Sequence, residues 1–170
     1  CANQSKNPLL EEFDTPFGIA PFAQITIEDY REAMLQGMAE QKAEIEAIIA
    51  STDEPTFANT IAALDQSGRL LSRARGTFSP LSSSNSTDET RALEKELSPL
   101  FSAHSDDIYL NEALFERVKK VYENQAAEQL SAEEQKVLEN IYDRFVNSGA
   151  NLNDEEKVRL RELNSRLAML

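Results

Sequence analysis

The sequence predicts an all-α fold. Apolar residues recur at steps of three and four along most of its length, the pattern of one buried helix face. Only 5 glycines and 6 prolines interrupt 170 residues. Several of the periodic stretches open with a hydroxyl or amide residue followed three positions later by an acid, the signature of a capped helix start.

The first 25 residues are the exception. Three of the six prolines, Pro8, Pro16 and Pro21, fall there and leave no room for a long helix. Residues 1–8 read as a polar tether. Residues 9–25 carry Leu9, Leu10, Phe13, Phe17, Ile19 and Phe22, too apolar for a free tail, so they read as an extended arm lying on a larger body. A helical domain is expected over residues 26–170.

Six helices are expected in that domain. Thr26 to Asp29 has the capping-box form and opens a helix to about Ser51, with Ile27, Tyr30, Met34, Met38, Ile45, Ile48 and Ile49 on one face and Gly37 tolerated inside. Asp53-Glu54-Pro55 starts the second, with Pro55 in the first turn, where its missing N–H costs nothing. Phe57, Ile61, Leu64, Gly68 and Leu71 keep one rhythm, which places Gly68 inside that helix at a close crossing. Ser79 to Thr87 reads as the clearest loop. Thr87 opens the third helix, with Leu93, Leu97, Leu100 and Phe101, and Pro99 is expected to bend it. Asn111 to Asn124 gives the fourth. Ser131 to Glu134 opens the fifth, whose Val137, Leu138, Ile141, Tyr142, Phe145 and Val146 form the strongest apolar stripe. Asn153 to Glu156 opens the last, with Val158, Leu160, Leu163, Leu167 and Leu170 apolar, and the chain ends within that pattern as though a longer helix had been cut.

Composition narrows the function. Thirty acids stand against 17 bases, a formal charge of −13, and no extended Lys/Arg cluster offers a phosphate-binding surface. Nucleic acid is therefore excluded as a leading partner. No apolar run approaches the roughly 18 to 20 residues needed to cross a bilayer. The single cysteine is Cys1, followed by a polar run, as in a bacterial lipoprotein after signal-peptide removal. Cys1 is thus a lipidation candidate, which implies the cell envelope, with a cytoplasmic location as the alternative; acyl chains contribute about 0.8 kcal/mol per buried CH₂.

Candidate chemistry is sparse. His104, followed by Asp106 and Asp107, is the only histidine. A zinc site needs three or four N, S or O ligands, usually including another His or Cys, and no second His is present. Nor does any serine sit in a Gly-flanked turn that exposes a nucleophile. His104 is expected to serve structure near a helix end. The acid pairs Glu11-Glu12, Asp106-Asp107 and Glu133-Glu134 read as solvated or capping features. Arg69, Arg73 and Arg75 form the one local basic cluster, read as an answer to acidic surface, with a grip on a peptide carboxylate as the lesser reading. No catalytic residue and no metal ligand is assigned.

The segments NPLLEEFDTPFGIAPFAQITIEDYREAM, PTFANTIAALDQSGRLLSR, LSPLFSAHSDDIYLNEALFERVKKVY and RFVNSGANLNDEEKVRLRELNSRLA resemble, in order, the N-terminal region of bacterial peptidyl-dipeptidases of the thimet oligopeptidase family of zinc metallopeptidases. The resemblance runs from about Asn7 to Leu170. It implies a helical N-terminal lobe of a larger two-lobed peptidase that binds zinc and releases C-terminal dipeptides from oligopeptides. In that family the zinc motif, HEXXH with a later Glu, lies far downstream, so the catalytic remainder of the chain would be this segment's partner. The segment itself would wall the substrate channel and be inactive alone. The competing expectation is a free-standing, lipid-anchored helical binding module without activity.

Overall fold

The computed structural model describes residues 6–15, 18–84 and 86–170. Cys1, most of the tether, Pro16 and Phe17 lie outside the described residues. Among those described there is no strand, and six long helices dominate. They are α1 (Ile27–Ala50), α3 (Arg69–Ser84), α4 (Asp88–Tyr109), α5 (Glu112–Glu128), α6 (Ala132–Asn147) and α7 (Asp154–Leu167), with a short α2 (Ala63–Gln66) continuing a π-helical turn at Phe57–Ala62. The chain divides into two compact units, residues 1–41 with 68–96 and residues 42–67 with 97–170.

In the first unit, α1 begins as the sequence predicts. The Thr26 hydroxyl accepts from the Asp29 amide at 3.1 Å, and Asp29 accepts from the Thr26 amide at 2.7 Å. Leu9 is fully buried in a short 3-10 turn (Pro8–Leu10), and its carbonyl accepts from Arg73 Nε at 3.0 Å. Asn7, which the sequence assigns to a tether, is buried as well; its side-chain amide donates to the Asp29 carbonyl and to Glu32, each at 2.9 Å. Further along the arm Ile19 and Phe22 are exposed.

Both Gly37 and Gly68 lie at close approaches, a Cβ at Gly68 falling 2.5 Å from the Gln41 side chain, but only Gly37 is inside a helix. A Cβ at Gly37 would stand 2.7 Å from the Leu71 backbone nitrogen and 2.8 Å from its Cα. Gly68 does not continue a helix. The second predicted helix breaks at Ser67, and Gly68 takes φ +68°, a left-handed conformation that suits glycine. Periodicity carries straight through such a break because the apolar spacing resumes in phase on the far side.

The predicted loop at Ser79–Thr87 is also corrected. Helix α3 runs through Pro80 to Ser84. Hydroxyls support it locally: Thr77 donates to the Arg73 carbonyl at 3.0 Å and Ser83 to the Ser79 carbonyl at 2.8 Å. Asn85, within the same predicted loop, lies outside the described residues.

The second unit holds the larger continuous core. Ile45, Ile48, Ile61, Ile108, Leu114, Phe115, Val118, Val121, Leu138, Phe145 and Ala150 form one buried cluster. Aromatic rings join α4, α5 and α6 within it: Tyr109 meets Phe145 edge-on at 5.0 Å, Phe115 stacks on Phe145 at 5.8 Å, and Tyr122 stacks on Tyr142 at 4.0 Å. The π-helical turn starts at Phe57 rather than at Pro55, because Thr56 is the cap; it shares reciprocal bonds with Asn59, and the Glu128 carboxylate also accepts from the Phe57 amide at 2.8 Å.

Candidate functional site

Around His104 the second unit forms a recess lined by charged groups. His104 lies inside α4, five residues before its end. Lys42, Ile45, Glu46 and Ile49 from α1, Asp107, Ile108 and Asn111 beside His104, and Arg161 from α7 complete a recess of about 240 Å³. Lys42 and Glu46 are one helical turn apart, so both reach the same side.

The acid pair next to His104 is occupied with structure. Asp107 Oδ1 accepts from Arg161 Nη1 at 2.8 Å, and Arg161 Nη2 donates to the Asp106 carbonyl at 3.2 Å. Asp106 Oδ1 accepts from the Asn164 side chain at 2.8 Å. Arg161 and Asn164 are three residues apart on α7, so one face of that helix is fastened to the last turns of α4. The pair, expected to be a solvated or capping feature, also carries a tertiary contact: Asp107 stays exposed while it pairs with Arg161, and Asp106 is half-buried. Nothing local to Asp106-Asp107 in the sequence marks a partner more than fifty residues away.

Ionisation in the cleft follows burial. Desolvation lowers the His104 pKa from its ordinary 6.5; Asp107 pulls it up and Lys42 pushes it down. Burial raises the Asp106 carboxyl above its ordinary 3.8, opposed by the Asn164 hydrogen bond and Arg161 and reinforced by Asp107. Neutral imidazole is thus favoured in the fold. The donor set does not suit the zinc that the family resemblance implies: no group of three or more His, Cys, Asp or Glu side chains among the described residues is arranged to hold a metal ion.

A second recess of about 240 Å³ lies where α1 ends, lined by residues 51–55 with Glu116, Arg117 and Lys120. Arg117, which drew no attention in the sequence, donates to the Ser51 carbonyl at 3.0 Å and the Asp53 carbonyl at 3.3 Å. It closes off the carbonyl end of α1 and so is committed to the fold. In the basic cluster, Arg73 holds the arm through the bond from its Nε to the Leu9 carbonyl. Glu134 serves in the α6 capping box, and Glu11 pairs with Lys6. Among the described residues no helix is long and apolar enough to cross a membrane.

Several charged groups of the second unit are thus engaged at helix ends and in helix docking. The chain is 39% identical over 166 residues to a dipeptidyl carboxypeptidase of Salmonella typhimurium and 37% identical over 164 residues to one of Escherichia coli, covering 98% and 96% of this chain. It is 26% identical over 164 residues to oligopeptidase A of Salmonella typhimurium. These relatives are members of the thimet oligopeptidase family, and the chain is similar to one part of them. It spans about a quarter of the length of these relatives, 24% in each case. No family model matches it.

Proposed function

We propose that this chain is the non-catalytic helical lobe of a peptidase that releases dipeptides from the C-termini of oligopeptides, and that it walls the channel through which substrate passes. The observation that carries the reading is the gradient among relatives: 39% and 37% identity to dipeptidyl carboxypeptidases, against 26% to oligopeptidase A, over nearly the same residues. Zinc, in this reading, is held by the remainder of the parent chain, where it supplies activated water for peptide hydrolysis. Cys1 carries a lipid that keeps the protein in the cell envelope.

The test is a digest of N-terminally blocked oligopeptides by the full-length parent, followed by mass spectrometry. Dipeptides leaving stepwise from the C-terminus, and loss of that activity with a chelator, are expected. Cleavage at internal bonds instead would assign the parent to the oligopeptidase side of the family. The 170-residue chain alone is expected to leave the same peptides intact. Labelling of cells with a palmitate analogue, with Cys1→Ser as control, tests the anchor; label retained in that variant would overturn it.

A further inference from the structure

We propose that the arginine-flanked leucine stripe of α7 is a docking face for an acidic-edged amphipathic helix elsewhere in the same parent polypeptide. Helix α7 buries no residue. Its Lys157, Leu160, Arg161, Asn164 side is partly covered and fastened to Asp106 and Asp107, yet Leu163 and Leu167 next to it are 47% and 65% exposed. Leu160, Leu163 and Leu167 follow the three-four spacing of a helix-packing seam. Arg159 and Arg166, seven residues apart, each immediately precede a leucine of that seam and are exposed. Neither takes part in an ion pair among the described residues.

Charge selects the occupant. After its first turn, where Asp154, Glu155 and Glu156 suit the helix dipole, α7 carries Lys157, Arg159, Arg161 and Arg166 against the single acid Glu162, in a chain of net charge −13. Such a seam calls for acids along the edges of its partner. A second copy of α7 does not supply them: antiparallel pairing sets the two arginines against arginines, and parallel pairing sets Arg159 against Asn164, an amide and not an acid. The relatives supply a source, because they are about four times as long as the matched segment. The inference rests on that length and on the charge of α7, not on the peptidase activity.

Thiol labelling tests it. Leu163→Cys on the seam and Ser165→Cys on the opposite side of α7 are introduced separately into the full-length parent, and maleimide uptake is read on the peptide that contains each position. Position 163 is expected to label at least about tenfold more slowly than position 165, as befits a site reached only by local opening. Equal rates would overturn the proposal. So would protection at 163 that rises with protein concentration, which means a second copy, or that appears only with phosphatidylglycerol vesicles, which means a lipid surface. Adding Arg159→Glu and Arg166→Glu is expected to speed labelling at 163; an unchanged rate would overturn the acidic character of the partner. None of these readings uses peptidase activity, so they stand or fall apart from the dipeptide assay.

Discussion

Helices α6 and α7 begin in the same way and are used differently. Each opens with a reciprocal capping box, Ser131 with Glu134 and Asn153 with Glu156, and each carries acids in its first turn and an arginine in its last. Helix α6 nevertheless buries Leu138 and Phe145 completely, while α7 buries nothing. Caps and dipoles fix where a helix starts; they do not specify what covers its apolar side. The largest expected effect follows. Phe145→Ala removes a ring that touches both Tyr109 and Phe115 and should lower stability by about 3–5 kcal/mol in urea denaturation. A loss under about 1 kcal/mol would mean that the core of the second unit does not depend on α6.

The same separation of local signal from tertiary contact explains what was legible in the sequence. Helix starts at Thr26, Thr87, Asn111, Ser131 and Asn153 were readable because a cap and the residue it bonds are three positions apart. The break at Gly68 was not, because the apolar rhythm is continuous across it, and the role of Gly37 depends on Leu71, which the sequence does not place beside it. Arg117, Arg161 and Asn164 were missed at the candidate sites for the same reason: their partners lie more than fifty residues away. Gly37→Ala tests the point. Helix propensity alone favours alanine by about 1 kcal/mol, but the Leu71 backbone cannot yield as a side chain would, so a net destabilisation of about 1–3 kcal/mol is expected. A stabilised variant would show that local propensity outweighs the contact.

Capping itself should cost the two helices similar amounts. Ser131→Ala and Asn153→Ala each remove one side-chain acceptor at a helix start and should cost about 1 kcal/mol if the helix is coupled to global unfolding. The informative quantity is the difference between them. Because α7 buries no residue, its cap should register less in global unfolding and more as faster amide exchange confined to residues 154–167. Equal global losses would tie α7 to the core as firmly as α6.

Two groups on α4, His104 and Asp106, make stability depend on pH with opposite signs. His104 is harder to protonate in the fold than in the unfolded chain, so its contribution to stability is present above its ordinary pKa of 6.5 and is lost as the pH falls through its lowered folded value. Asp106 has the opposite sign: with its pKa raised, the fold gains as the pH falls through that value. Lys42, Glu46, Asp107 and Arg161 face the same recess, so the histidine term should be isolated by substitution. Between about pH 7 and pH 5.5 the melting temperature should fall less in His104→Gln than in the unaltered chain, and parallel curves would remove His104 as the source.

The smallest expected effect bears most directly on α7. Leu163→Lys places a charge where the unaltered leucine is already half in water, so in the 170-residue chain its stability cost should stay within about 0.5 kcal/mol. The same substitution in α6 at Leu138, which is fully buried, would strand a charge in the core and should unfold the unit. A loss above about 1 kcal/mol at Leu163 would mean that its stripe already packs within this chain, and the contrast between the two helices would collapse. A near-zero change leaves a capped helix whose Leu163 gains nothing from burial here, although its arginines and exposed leucines have the composition of a contact surface.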